Sequence, residues 1–497
     1  MTEANERGRG SKRAEEVAEE GAQDAPASYA TEISSRHLPA VTYRDLPKPL
    51  PLRRIIGPGV VLAASGIGSG EYVLWPYIAQ RSGLGFLWAA LFGSILMFFI
   101  ATECVRYTLA TGETIITGFT RLWKGWWIGF IAMSLLPNLW PGYATGVATT
   151  LTFLFGGGDI IVITILALAA IVLSLLLSPV IYRMEESALS VMMGVMLVFV
   201  FVAAGVTIAI NPGSWGAFAA GWGNVGRLPT QIPFAAFAGA VAFAGAGGTG
   251  VLMASNYVRD KNLGMGAHIP RIISPITGAE EPGSNIGHFF PQNEENMRRW
   301  RAWWKAENWD QFLTFFLFTV GTIFVMSVLA YATVFGEDVG QGFAFIRAEG
   351  EALAAAVGPW LMYFFWAAGT LALFSTNLAV WDQIGRIAAD GIKANWLREN
   401  TFWTESRVYA TILCLLFIFS ILVLLSGLQQ PLVLLWIVSV LSGVTSFIYC
   451  ALIVQLNRFG LPAAIKMGTG RLVVMSIAVL FYLFFFIFTM LDLFGVA

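Results

Sequence analysis

Long apolar runs separated by short polar stretches dominate the chain from residue 57 onward, at about 57–80, 84–109, 126–155, 160–178, 187–210, 231–257, 310–335, 353–377, 407–427, 431–454 and 472–494. Each run is about 20 residues or longer, enough at 1.5 Å per residue to cross a hydrocarbon core of about 30 Å. The runs are continuous and do not alternate, so they predict helices and not barrel strands. The pattern thus predicts an all-α polytopic membrane protein of eleven spans. Residues 1–50 break the pattern: rich in Glu, Arg, Ala and Pro, with no apolar run behind the opening charges, they predict a disordered cytosolic tail and not a cleaved leader.

Charge placement checks the count independently. With the N-terminus inside, 27 of the 30 Lys and Arg residues fall on the inner side, and only Arg81, Arg227 and Arg347 fall outside. Adding or removing one span would scramble that asymmetry. The expected orientation in the cell membrane is therefore a cytoplasmic N-terminus and a short external C-terminus. The largest polar insertion, 258–309, is then cytosolic, and Trp300, Trp303 and Trp304 near its end share one helical face. That stripe predicts an interfacial helix lying on the inner leaflet.

Composition narrows the chemistry. The chain is 57% hydrophobic and 12% charged with a net charge of −1, which leaves no basic surplus to neutralise a nucleic-acid backbone. Cys104, Cys414 and Cys450 lie in apolar runs without the paired spacing of a zinc site, and His37, His268 and His288 sit in polar stretches. No nucleophile, base and oxyanion constellation and no cofactor motif is present, so neither an enzyme nor a cofactor is expected. The partners implied are the lipid bilayer and a small cation or small solute.

Two spans carry glycine clusters near their middles. Span 1 contains Ser65-Gly-Ile-Gly-Ser-Gly-Glu71, and span 6 contains Gly245-Ala-Gly-Gly-Thr-Gly250. Each glycine costs a helix about 1 kcal/mol relative to Ala. Spans 1 and 6 lie five apart and so run in opposite directions, as equivalent members of two inverted five-helix repeats, about 57–210 and 231–454, would. Paired broken helices at the midplane are the pointer to a secondary transporter site. The competing reading is close packing through small residues. The candidate pathway residues are Gly66, Gly68, Ser69, Gly70, Glu71, Gly247, Gly248, Thr249 and Gly250, with Thr376 and Asn377 at the end of span 8. An ionised carboxylate deep in a bilayer costs about 3 kcal/mol, so Glu71 needs a cation, a proton or a basic partner. Glu103 and Arg106 in span 2, at i, i+3 spacing, can neutralise each other. Asn138 in span 3 and Ser439, Ser442, Thr445 and Ser446 in span 10 suit interhelix hydrogen bonds.

Gly57-Pro58 opening span 1, the glycine break that follows, Ala110-Thr-Gly112 after span 2 and Ser375-Thr-Asn-Leu-Ala-Val-Trp-Asp-Gln383 together resemble the Nramp family of divalent metal transporters. The resemblance covers most of residues 57–454. It implies the LeuT-type fold, two inverted five-helix repeats plus an eleventh helix at 472–494, and proton-linked transport of a divalent metal. Aligned from Gly57, the family's Asp-Pro-Gly-Asn falls on Gly68-Ser69-Gly70-Glu71, and its Met-Pro-His-Asn falls on Gly247-Gly248-Thr249-Gly250. The soft metal ligands are gone. Glu71 is left as the candidate metal carboxylate, and oxygen donors suit a hard cation such as Mg²⁺ or Mn²⁺. The alternative is a proton- or sodium-coupled carrier of a small organic solute, with glycines making room for it.

Overall fold

The computed structural model describes residues 29–178, 181–270, 286–398 and 400–493. Among the described residues eight helices are long and apolar enough to cross a membrane, and they coincide with spans 2, 4, 5 and 7 to 11. Spans 3 and 6 are interrupted helices, and span 1 passes through a π-helical stretch in its middle. Span 3 runs Trp126–Leu135 and Gly142–Phe155 around a turn at Pro137–Leu139, because Pro137 and Pro141 lack the N–H groups a continuous helix needs. Loops close on local capping: the Asp159 side chain accepts from the N–H groups of Ile161 and Val162, Thr404 caps span 9, and Gly112 ends span 2 at φ 74°.

Span 8 differs from its expected bounds. It covers Pro359–Asn395, continuing past residue 377, while residues 353–356 belong to a separate loop helix, Ala344–Ala356. Asp382, Arg386 and Asp390 ended the apolar run in the sequence, but all three are buried and paired inside the protein. The extension places Ser375, Thr376 and Asn377 in the middle of the span, beside span 1.

Residues 29–50 are also packed, contrary to the expected tail; the rest of that segment lies outside the described residues. Val41 and Leu46 are fully buried, and Thr42–Tyr43 pairs in parallel with His288–Phe289. Arg121 fastens the segment by donating to the carbonyls of Ser34 and Pro39 at 2.8 and 3.0 Å while its Nε meets Glu113 at 2.7 Å. Burial alone would push the Glu113 carboxyl up, but the Arg121 guanidinium, the Gly287 N–H and the Tyr107 hydroxyl hold it below its ordinary range.

The helix predicted from the tryptophan stripe forms as Glu294–Asp310 and runs through a π-helical turn at Gln311–Phe316 into span 7, Leu317–Val334. Trp300 and Trp303 are buried against protein, while Trp309 at its end is exposed. Trp303 donates to the Pro47 carbonyl at 2.9 Å, Trp300 stacks on Phe290, and the Arg106 guanidinium lies 3.9 Å from the Trp304 ring centre. Residues 271–285 of the same insertion lie outside the described residues. Asp310, at the helix end, accepts from the N–H groups of Gly57 and Gly59, tying span 7 to the start of span 1.

Candidate functional site

The glycines of span 6 unwind it. Its first half, Phe234–Ala242, stops where Gly245 takes φ 118° and Gly248 takes φ 59°, values that a side chain opposes. The chain then re-forms as a tight turn at Gly248–Leu252 and the helix Met253–Asp260. Span 1 behaves differently. Pro58–Gly66 and Trp75–Ser82 are joined by a π-helical stretch, Ile67–Leu74, so the expected unwinding there is replaced by a widened but continuous helix.

Close backbone approach explains the span 1 glycines. A Cβ on Gly66 would overlap the Gly245 carbonyl, one on Gly70 would overlap the Phe243 carbonyl, and one on Gly68 would stand 2.5 Å from the Ala372 oxygen. The two glycine clusters therefore face each other, with span 8 on the third side. Gly66→Ala is expected to destabilise the protein by about 1–3 kcal/mol, because backbone and not a flexible side chain must give way. An unchanged melting temperature in detergent would refute this close contact.

Polar groups fill the junction. The Gly68 N–H donates to Thr376 Oγ1 at 2.9 Å, and the hydroxyls of Ser375 and Thr376 lie 3.3 and 3.2 Å from the Ala64 carbonyl. The Ser69 hydroxyl donates to Gly66 at 3.2 Å. Alongside lies a small enclosed cavity, with room for about one water, lined by Ser65, Asn138, Tyr143, Thr249, Gln383 and Ser442 together with Gly247 and Gly250. Gln383 Nε2 donates to Thr249 Oγ1 at 2.6 Å, bridging spans 8 and 6. Asn138 Nδ2 is engaged by the Ser134 carbonyl at 2.8 Å. The proline interruption brings Asn138 to this cavity, and the extension of span 8 brings Gln383. Among the expected residues, Gly247, Thr249 and Gly250 line the cavity; Gly66, Gly68, Ser69, Gly70, Gly248 and Thr376 build the helix contacts around it. Asn377 is buried, with its amide nitrogen lacking a partner. Tyr143, Gln383 and Ser65 had no distinguishing pattern in the sequence beyond their neighbours.

Glu71 does not line the cavity. It is fully buried, neither carboxylate oxygen has a hydrogen-bond partner, and its polar neighbours are Thr319 of span 7 and Tyr143. No Lys, Arg or His among the described residues pairs with it. Among the described residues no group of three or more His, Cys, Asp or Glu is placed to hold a metal. A cation in the cavity would therefore meet hydroxyl and amide groups, with the Glu71 carboxyl outside the lining.

A charged layer lies at the Asp260 end of span 6. Arg386 of span 8 bonds Asp260 of span 6 and Asp382 one turn away, and stands 3.8 Å from Glu185 of span 5; all are fully buried or nearly so. Tyr409 of span 9 donates to Asp382 at 2.7 Å. Arg259 bonds Asp260 at 2.9 Å and lies 3.7 Å from Asp390 and 3.6 Å from Glu405. The i, i+4 spacing of Asp382 and Arg386 was the available clue, hidden because both read as loop positions. The Glu103–Arg106 pair forms at 2.8 Å and is joined by Arg471 at 3.1 Å and Asn457 at 3.0 Å, clasping spans 2, 10 and 11.

No protein-family model and no curated protein matches the chain in sequence. Solved structures do match in shape. A manganese transporter of Eremococcus coleocola, in complex with an aromatic bis-isothiourea substituted compound, superposes with a TM-score of 0.63 at 13% identity, over 93% of this chain and 90% of that one. Mhp1, a nucleobase-cation-symport-1 family transporter in a closed conformation with bromovinylhydantoin bound, superposes at 0.50 and 15% identity over 91% and 94% of the two chains. The chain has the LeuT-type transporter fold. MhsT in complex with L-phenylalanine superposes equally, at 0.50 and 13% identity over 86% and 97%. In the LeuT-type fold of this multi-pass membrane protein, the unwound span 6 and the π-helical span 1 occupy matching places in the two halves.

Proposed function

We propose that the chain is a secondary-active transporter of a cation, a hard divalent ion such as Mg²⁺ or Mn²⁺, with protons as the coupling ion. The observation that carries this reading is the polar cavity at the unwound segment of span 6, in a protein that also buries the Glu71 carboxylate without a basic partner among the described residues. The space beside Gly68 and Gly70 is taken by the Ala372 and Phe243 carbonyls, and that beside Gly247 and Gly248 by the Phe243 and Ser442 side chains, which favours the ion. The test is uptake by proteoliposomes offered Mg²⁺, Mn²⁺ and a panel of polar organic solutes. Cation accumulation is expected, falling about tenfold or more in Gln383→Ala, on the scale of lost charge-assisted contacts. Accumulation of an organic solute without any cation would overturn the reading.

We infer from the charge asymmetry a cytoplasmic N-terminus, an external C-terminus and placement in the cell membrane. Single cysteines at Gln292 and Asp338, in a background lacking the three native ones, test the orientation. An impermeant reagent on intact cells is expected to label Asp338→Cys and spare Gln292→Cys; the reverse result would invert the topology.

A further inference from the structure

A cavity of about 740 Å³ lies at the outer end of the molecule, between the outer ends of spans 1, 10 and 11 and the start of span 6. Its floor is span 10, where Val433, Ile437, Val440 and Val444 recur at helical spacing. Ser442, which lines the central cavity, projects from the opposite side of the same helix. The two cavities are therefore separate. Val433 and Leu441 are 50% and 40% exposed, so this face opens sideways toward the bilayer.

Polarity is divided along its length. From Leu432 to Val444 the groove descends roughly 18 Å at the helical rise, close to the depth of one leaflet of a core about 30 Å thick. Over that descent the span 10 lining is wholly apolar. At the outer mouth stand Arg81, Gln341 and Gln430. Arg81 donates one N–H to the Gly340 carbonyl at 3.3 Å, has a buried Nε without a partner, and makes no ion pair among the described residues. The mouth thus offers a cation with no ion-pair partner among the described residues, its guanidinium 5.7 Å from the Tyr77 ring centre, at headgroup level above a one-leaflet apolar slot.

We propose that this groove is a binding site for one anionic glycerophospholipid of the outer leaflet, its phosphate held by Arg81 and one acyl chain lying along span 10. A peptide would leave its backbone groups unsatisfied against this apolar wall, and a neutral lipid would leave Arg81 without a counter-charge. The site joins the outer ends of spans 1, 6 and 10, and its occupancy does not depend on what the central cavity carries.

Trp436 lines the groove against Tyr77, with ring centres 5.6 Å apart, and reports on occupancy. Purified protein reconstituted with acyl-brominated phosphatidylglycerol or phosphatidylcholine is read by tryptophan quenching, and Trp436→Phe isolates that residue from the other tryptophans. Phosphatidylglycerol is expected to be preferred about fivefold, the worth of one basic residue near an anionic headgroup. Arg81→Gln should remove the preference, and Arg81→Lys should keep most of it. Equal quenching by both lipids in the unmodified protein, or a preference that survives Arg81→Gln, overturns headgroup selection. No quenching of Trp436 by either lipid overturns the site itself.

Discussion

Arg386→Met is expected to destabilise the protein by about 3–5 kcal/mol, the cost of removing one partner from a buried charge cluster. The side chain is wholly enclosed and holds Asp260 and Asp382 in ion pairs, with Glu185 close by. Deleting it leaves Asp382 and Glu185 without a basic partner among the described residues, where water cannot reach them, and Asp260 with Arg259 alone. A thermal melt in detergent reads the loss directly. If the cost comes from the stranded charges, replacing Asp260 and Asp382 by Leu in the same protein should restore part of the stability, since an apolar cluster of similar volume has no charge to solvate. An Arg386→Met protein that melts like its parent would show that span 6 is held to span 8 by packing alone.

Glu71→Gln is expected to abolish proton-dependent cation flux while leaving the fold intact. Among the described residues the carboxylate has no charged partner and faces only the Thr319 hydroxyl, and an ionised one at this depth costs about 3 kcal/mol or more. It must hold a proton or be balanced by a cation nearby, and a cation entering the cavity would favour loss of that proton through its charge. Glutamine keeps the shape and removes the titrating proton, so the melting temperature should hold or rise. Flux driven by a pH gradient across liposomes should drop at least about tenfold, which is 1.4 kcal/mol of lost coupling. Unaltered proton-dependent flux through a folded Glu71→Gln protein would remove this carboxylate from the mechanism.

Most of the membrane-spanning architecture was legible in the sequence because unbroken apolar runs in lipid leave the backbone few choices. The break in span 6 was legible too, since Gly245 and Gly248 take dihedrals that only glycine enters freely. Span 1 was not. A glycine cluster looks the same whether it unwinds a helix or lets carbonyls from Phe243, Gly245 and Ala372 press against it, and only the neighbours decide. The inner half of span 8 was hidden for a related reason: Asp382, Arg386 and Asp390 read as solvent-facing until Asp260 and Arg259 are seen to meet them. Residues 29–50 read as tail because their composition is polar, whereas their order comes from partners far along the chain, Arg121 and Trp303. The cavity was only half readable, since Asn138, Tyr143, Gln383 and Ser442 converge from three separate spans.

The π-helical stretch in span 1 gives that helix a second way to move. Such a stretch carries extra backbone per turn, and converting one of its turns to regular α geometry shortens the slack by one residue. One residue of an α-helix corresponds to about 100° of rotation and 1.5 Å of travel. Everything beyond the conversion point, Glu71 or the outer segment Trp75–Ser82 according to where it occurs, would turn as a screw while the start of the span stays pinned by Asp310. A carboxylate that faces Thr319 in the present register could thereby be swung by a quarter turn or more without any hinge opening in the span.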